Sequence, residues 1–490
     1  MLWTEKLGFL STVPLPLAPD VLAYNAQQLL GKLGYTTPPA DSAWDLNCCD
    51  HSNEEALKKM DPARRKAVLA SHQPPVVQFW YRQDLQPFPT NGDAAYGRPT
   101  ETTPPNSEPG MILIQLDATG RLLRLQVQPW LEQPAQPEVN WANLFEAAGL
   151  GFSRFSPVSP TGIPPMAVDA QLAWQGPYPN RIEPVTIHAA SWRGRPVLFE
   201  AQEPASSSPP RPFTPYVLPA VLGMGILAWR NWRAGRWDRR GATILTVIIF
   251  GFALAGGLGT RAPMIALAGW ILYVGIEPLA RRYWPDSLIS WTRVCQGQWN
   301  SPLVASHILA GILPATLVSY LVLNGVLGLY SPLPVTTASQ GAFSDFSPWI
   351  KLTQGIAAGT LFALVFLTFA ILVRLAIRKL WIADLLTAIL FNVPAFAGTF
   401  LGSADQRVVL AGMMILPSVV WVVLMRRLGF LTFLTVWVTF IPIYTTPPPM
   451  VTGWMVRDTL PIHLLPVAVG AWALWVILSA QRSPSTESQS

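Results

Sequence analysis

Ionisable side chains inside otherwise apolar sequence are the first residues here that could do chemistry, because a charge withdrawn from water is costly unless something compensates it. Glu277 stands just before Pro278 at the end of an apolar run, with Arg281 and Arg282 close behind it. It reads as a functional carboxylate or as half of an interfacial ion pair with a neighbouring arginine, and the ion pair is preferred. With His307, Glu277 could serve an intramembrane hydrolase, but that chemistry needs paired acids or a His-Glu cluster facing one cavity, and spacing alone supplies neither. Asp384 and Asn392, eight positions apart, project to similar sides of a helix. They could line a polar cavity with His307 and Asn324; alternatively Asp384, near Arg378 and Lys379, is an inner-surface anchor, which is the preferred reading.

Elsewhere the chemistry is thinner. Cys48-Cys49-Asp50-His51 puts four metal-capable side chains in a row. Metal sites need intervening residues that let the ligands converge, so this reads as a loop. His72 and His188 have no serine or cysteine at a spacing that marks a triad. No catalytic residue, cofactor or metal ligand is assigned.

The elements that would hold these residues are organised around the stretch from Pro212 to Arg240. Phe213 to Trp229 is uncharged and apolar, and Arg230, Arg233, Arg236, Arg239 and Arg240 follow it. A helix of such length crosses a hydrocarbon core, and arginine collects on its cytoplasmic side. Composition agrees with a split chain: half of the 490 residues are hydrophobic, 13% are charged and 21 are tryptophan. That is too apolar for one soluble globule and too polar before residue 210 for membrane throughout. The basic balance is a topology signal rather than a nucleic-acid footprint, since much of the Lys and Arg lies in short loops beside apolar runs. Three cysteines make no disulfide framework.

About nine spans are expected, at 213–229, 242–259, 263–280, 303–325, 353–373, 381–401, 408–425, 429–445 and 462–479. The loops after the odd-numbered spans carry the arginine clusters, including Arg281 with Arg282, Arg374 with Arg378, and Arg426 with Arg427. Those after the even-numbered spans carry only Arg261, Lys351, Arg407 and Arg457. This asymmetry predicts an inner-membrane protein with residues 1–210 outside and the C-terminus in the cytoplasm. Between spans, Trp284 to Trp299 is amphipathic, and Leu288, Ile289, Trp291 and Val294 are expected in the inner headgroup layer. Pro314, Pro394 and Pro417 fall within spans, where neighbouring helices can satisfy the freed carbonyls.

The first 210 residues read as α+β. Val21 to Leu33 is expected to be an amphipathic helix with Asp20 as N-cap and Gly34 as stop; Val21, Leu22, Tyr24, Leu29, Leu30 and Leu33 lie largely on one side. Pro38, Pro39, Asp41, Ala43 and Trp44 follow. The order recurs after Trp141 to Leu150 as Pro164, Pro165, Asp169, Ala173 and Trp174. Alternating hairpins are expected around Asp117-Ala118-Thr119-Gly120 and around Arg193-Gly194-Arg195, with Phe79 to Arg82 and Leu172 to Trp174 as the preceding strands. The soluble part is thus two helix-plus-antiparallel-sheet repeats, 20–135 and 136–202. An irregular start (1–19), a Pro/Ser linker (203–212), a multi-pass all-α region (213–480) and a polar tail (481–490) complete the chain. Met1 to Pro19 holds no convincing signal peptide, so either a translocating span lies upstream of Met1, or the start is misassigned, or Leu7 to Leu17 inserts despite its prolines; the first is the preferred reading.

A resemblance joins these parts. LAYNAQQLLGKLGYTTPPADSAWD, QFWYRQDL, WRGRPVLFE and, most specifically, LYVGIEPLARRYWPDSLISWTR resemble the non-catalytic part of bacterial multi-pass membrane serine/threonine protein kinases of the acidobacterial type. The resemblance implies an extracytoplasmic domain followed by a multi-pass region, with a cytoplasmic kinase domain and one span ahead of both. The kinase part has no counterpart here. Gly256, Gly257 and Gly259 end a span, where glycine serves helix packing, and Asp345-Phe346-Ser347 lacks the glycine of the metal-binding motif. The expected function is a sensory or regulatory membrane module without its own phosphotransfer. Its expected partners are the bilayer, an extracytoplasmic ligand, and a separately encoded kinase or a second copy of the chain. A transporter or permease is the alternative, although the nine spans show no internal repeat.

Overall fold

The computed structural model describes residues 15–48, 60–75, 77–88, 99–132, 134–181, 183–202, 214–320, 348–398, 404–446 and 454–482. The chain forms two compact units, parting first between residues 208 and 209. Cys49, Asp50, His51, Asn324 and the Asp345 to Ser347 stretch lie outside the described residues.

In the first unit the elements run α1 (Pro19–Lys32), β1 (Asp41–Cys48), α2 (Pro62–Ser71), β2 (Val77–Asp84), β3 (Ile112–Asp117) and β4 (Leu122–Val127). They continue with α3 (Trp141–Ala147), β5 (Ser156–Val158), β6 (Ala170–Gly176), β7 (Val185–Trp192) and β8 (Arg195–Gln202). The strands make one antiparallel sheet of order β1-β2-β3-β4-β8-β7-β6-β5. Each half opens with a helix and contributes four strands, the first half inserting α2 between β1 and β2, and the halves meet where β4 pairs β8 through Arg124↔Glu200, Leu125↔Phe199 and Gln126↔Leu198.

The register explains the core. Residues directly opposite one another share a face of the sheet, and Trp44, Tyr81, Ile114, Leu125, Phe199, Ala189 and Leu172 form one rung across seven strands. Tyr81, Ile114, Leu125, Phe199 and Ala189 are all buried. Two helices pack on this face: Gln27 on α1 donates to the Tyr81 hydroxyl at 3.0 Å, and Phe145 on α3 meets Phe199 edge-on with centroids 5.4 Å apart. One apolar layer thus runs under both halves.

Three local expectations are corrected. Asp20 is in the first turn of α1 rather than at its cap; Ala18 holds the cap position without a side-chain bond, and Pro19 presets the helical φ. Leu22, Ala26 and Leu30, a strict i, i+4, i+8 stripe, are the buried face, whereas Val21 and Tyr24 are exposed. The Ala-Trp pairs do not mark equivalent strands: Ala43-Trp44 lies on β1, the first strand of its half, and Ala173-Trp174 on β6, the second. Trp174 is placed by rings, meeting Phe145 at 5.5 Å and Phe152 at 5.7 Å.

The hairpins use the turn chemistry their residues dictate. Asp117 Oδ1 accepts from the Thr119 and Arg121 amides, and Gly120 takes φ +89. Arg193 and Gly194 both have positive φ, the signature of a two-residue I′ turn. A Cβ on Gly194 would lie 2.2 Å from the Gln136 carbonyl oxygen, so only glycine fits.

His72 ends α2 in the left-handed region (φ 55) and is buried. Burial holds its imidazole below the usual 6.5, opposed by Asp117 and reinforced by Arg121. With the folded value depressed, the unfolded chain takes the proton first as pH falls. The His72 contribution is therefore complete above about 6.5 and is lost progressively below it. Hydrogen exchange on the full chain should show protection of the β3–β4 amides falling as pH drops below that value. His72→Asn, which tolerates the same backbone, should flatten the dependence; an unchanged slope would remove His72 as its source.

The second unit is helical: α4 (Thr214–Arg233), α5 (Arg239–Ala255), α6 (Ala262–Tyr283), α7 (Ile289–Cys295), α8 (Pro302–Tyr320), α9 (Pro348–Ala376), α10 (Leu380–Gly398), α11 (Ala404–Leu428), α12 (Phe430–Tyr444) and α13 (Trp454–Arg482). Helices cover much of the nine expected stretches, but residues 321–325 and 399–401 lie outside the described residues, and the second stretch leaves its helix at Ala255, short of 259. Among the described residues, four segments are long and apolar enough to cross a membrane: 259–283, 302–320, 348–376 and 459–482. Leu380–Asn392 and Phe430–Tyr444 are apolar but shorter.

The Trp284 to Trp299 stretch does not present its apolar face outward. Leu288, Trp291 and Val294 are buried in the helical core, leaving Ile289 exposed. Its amphipathic period is real, but the bundle itself covers the apolar side.

Candidate functional site

One group of the polar residues that the bundle buries gathers where α5 begins and α6 ends. Tyr273, Glu277 and Arg281 are spaced i, i+4, i+8 on α6 and so share one face. Glu277 is 3% exposed and Tyr273 1%, while Arg281 reaches the surface. The Arg281 guanidinium pairs with Glu277 through Nε and faces Asp238 Oδ2 at 3.6 Å through Nη2. Two carboxylates therefore share one cation.

Asp238 is the N-cap of α5. Its Oδ1 accepts from the Gly241 amide at 3.0 Å, and its Oδ2 accepts from the Tyr273 hydroxyl at 3.3 Å. A Cβ on Gly241 would come within 2.5 Å of both Asp238 Oδ2 and the Tyr273 oxygen, so the glycine lets the three groups meet. Trp291 on α7, 1% exposed, donates from Nε1 to the same hydroxyl at 3.0 Å and stands edge-on to Phe430 of α12. Asn231 near the end of α4 donates to the Val274 carbonyl at 2.9 Å. Five helices are thus tied at one node. Cys295 lies buried close by, its thiol pushed up to about 11 chiefly by burial, with the Asp238 charge adding to it. A thiol so raised is a poor nucleophile.

Further contacts place the other arginine-bearing loops at the same end. Gly429, two residues past Arg427, packs so closely on the turn before α7 that its Cβ would be 2.4 Å from the Ser287 carbonyl oxygen. Arg426 Nη2 pairs with Asp384 Oδ2 at 3.3 Å, and the Arg374 charge acts on the same carboxylate. The loops carrying Arg239, Arg281, Arg374 and Arg426 are therefore neighbours in space.

The sequence candidates separate accordingly. Glu277 and Arg281 meet; Arg282 stays out of the node, with its guanidinium 5.9 Å from the Tyr283 ring centroid. Asp384 and Asn392 do share a side, since Asn392 donates to Ser418 Oγ at 2.9 Å while Asp384 pairs with Arg426. Both contacts join α10 to α11 at matching intervals of eight residues, forming a seam between the two helices. His307 is partly buried on α8, and its buried Nδ1 makes no hydrogen bond among the described residues, to Glu277 or to any other.

The sequence does not mark Asp238, Tyr273 or Trp291 as members of one node, although Trp291 reads as an interfacial residue. Asp238 sits among five arginines and looks like a solvated loop residue, though Asp-x-x-Gly ahead of an apolar run is a helix-start signal. Tyr273 and Trp291 look like ordinary membrane aromatics. Tyr320 and His463, bonded at 2.8 Å between α8 and α13, were also unanticipated. In the sheet unit, Arg82 is wholly buried on β2. Its Nη1 donates to the Thr100 carbonyl at 2.8 Å, its Nε and Nη2 have no partner among the described residues, and desolvation lowers it to about 10.

The node holds helices together, and its two carboxylates, Glu277 and Asp238, both face Arg281. Among the described residues no group of three metal-capable side chains converges. Comparison with known families, curated proteins and solved structures finds no match to this chain.

Proposed function

We propose that the chain is a non-catalytic sensory or regulatory module of a bacterial inner membrane. In this reading residues 1–210 are extracytoplasmic, the C-terminus is cytoplasmic, and the helical unit relays a signal to a cytoplasmic kinase encoded separately. The observation that carries the reading is the convergence of the arginine-bearing loops on one end of the helical unit, around Arg281, Ser287–Gly429 and Asp384–Arg426. Arginine concentrated at one end is what a cytoplasmic face requires. The commitment of Glu277 to Arg281 speaks against the hydrolase alternative.

The test is residue accessibility in intact cells, with the native cysteines replaced. Thr119→Cys, at an exposed hairpin turn, should react with a membrane-impermeant maleimide from outside. Gln296→Cys, exposed just past α7, should react only after permeabilisation. The opposite pattern overturns the orientation, and ATP-dependent phosphorylation by the purified chain overturns its non-catalytic character.

A further inference from the structure

Both oxygens of Asp238 are turned into the node, toward the Gly241 amide, the Tyr273 hydroxyl and Arg281. Asp238 is the only carboxylate between residues 230 and 240, a stretch holding five arginines. Counted along the sequence, it offsets one of those charges; in the fold it is spent internally. Arg230, Arg233 and Arg236 are exposed, and among the described residues none of them makes an ion pair.

The surface leading to these arginines is apolar and graded. Leu222, Ile226, Trp229 and Arg233 are spaced i, i+4, i+7, i+11 and lie on one side of α4. Leu222 and Ile226 are 63% and 67% exposed, and Trp229 is 50% exposed. The Arg233 guanidinium lies over the Trp229 ring, 4.3 Å from its centroid. An alkyl stripe, then an amphipathic ring, then clustered cations repeats the order of a phospholipid itself: acyl chain, glycerol region, phosphate.

We propose that this face of α4 binds anionic phospholipid selectively, with Arg230, Arg233 and Arg236 holding the headgroup, Trp229 at the glycerol level and Leu222 and Ile226 along the chains. The inference rests on the membrane reading above and adds lipid selectivity to it. Juxtamembrane arginines act on anionic headgroups mainly through charge, so selectivity should fall roughly fivefold for each of the three removed. It should also weaken as salt screens it.

The full chain would be reconstituted into phosphatidylcholine vesicles carrying trace spin-labelled phosphatidylglycerol or spin-labelled phosphatidylcholine. The fraction of each label immobilised by protein would then be measured. The expected result is a clear preference for phosphatidylglycerol that is lost in the Arg230→Gln/Arg233→Gln/Arg236→Gln variant and kept in the corresponding triple lysine variant. Equal immobilisation of the two labels by the unaltered chain, or a preference indifferent to both the glutamine changes and salt, overturns the proposal. Should the glutamine variant fail to reconstitute, the salt dependence of the unaltered chain decides alone. A chain that does not float with the vesicles defeats the membrane reading; one that floats without preference defeats only the lipid site.

Discussion

Gly429→Ala is expected to be among the most damaging single methyl additions to the helical unit. Gly429 precedes α12 with φ 92 and ψ −175, a region that side-chain-bearing residues avoid, and a residue forced there costs roughly 1–3 kcal/mol. The added Cβ would also press to 2.4 Å from the carbonyl oxygen of Ser287, which is backbone and cannot swing aside. The turn before α7 and the start of α12 must then separate, loosening the Trp291–Phe430 contact. The purified full chain should melt well below the unaltered protein, with Trp291 becoming accessible to a fluorescence quencher. Gly251→Ala is the control, because a Cβ there meets nothing within 4 Å and the melting point should hold or rise. Equal melting of the two variants would show that the approach of Gly429 to Ser287 does not hold the bundle.

The second large effect is expected at Arg281. Its guanidinium is the cation facing both Glu277, which is buried, and Asp238. Removing one partner of a buried pair typically costs about 3–5 kcal/mol. Arg281→Met strands the buried Glu277 and should approach the lower bound, roughly 3 kcal/mol, because the arginine end of the pair is half exposed and water already screens it. The diagnostic measurement is the double variant. Glu277→Gln removes the stranded charge, so Arg281→Met with Glu277→Gln should melt above Arg281→Met alone. If the two changes simply add, the side chains are not acting as a pair.

Much of the local structure was legible because local chemistry decides it. Gly34 closes α1 and Arg193-Gly194 turns the second hairpin, since few residues can take those backbone angles. The i, i+4 spacing of Glu277 and Arg281 likewise suffices to let them meet. β1 was not foreseen, because its Asp, Ser and Asn residues carry little strand preference and its conformation is imposed by pairing with β2. β5, only three residues long, gave no period to read. α2 is announced by Asp61-Pro62, a capping residue before a first-turn proline. Amphipathicity over Trp284 to Trp299 fixed which side is apolar, but not whether lipid or protein would cover it. The node was least legible of all, since Asp238, Tyr273 and Trp291 are joined only by packing between helices.

The pairing of β4 with β8 also sets a timetable for assembly. Made from its amino end, the chain can close the β3–β4 hairpin at once, a contact between near neighbours in sequence. The other flank of β4 must wait for residues 198–200, after α3 and every other strand of the second half have been synthesised. Until then β4 is an open edge able to template a foreign strand. The strand that seals it is also the last one before the chain runs on toward α4, so a stall in delivering the first helix of the bundle would leave the centre of the sheet, rather than its rim, open to aggregation.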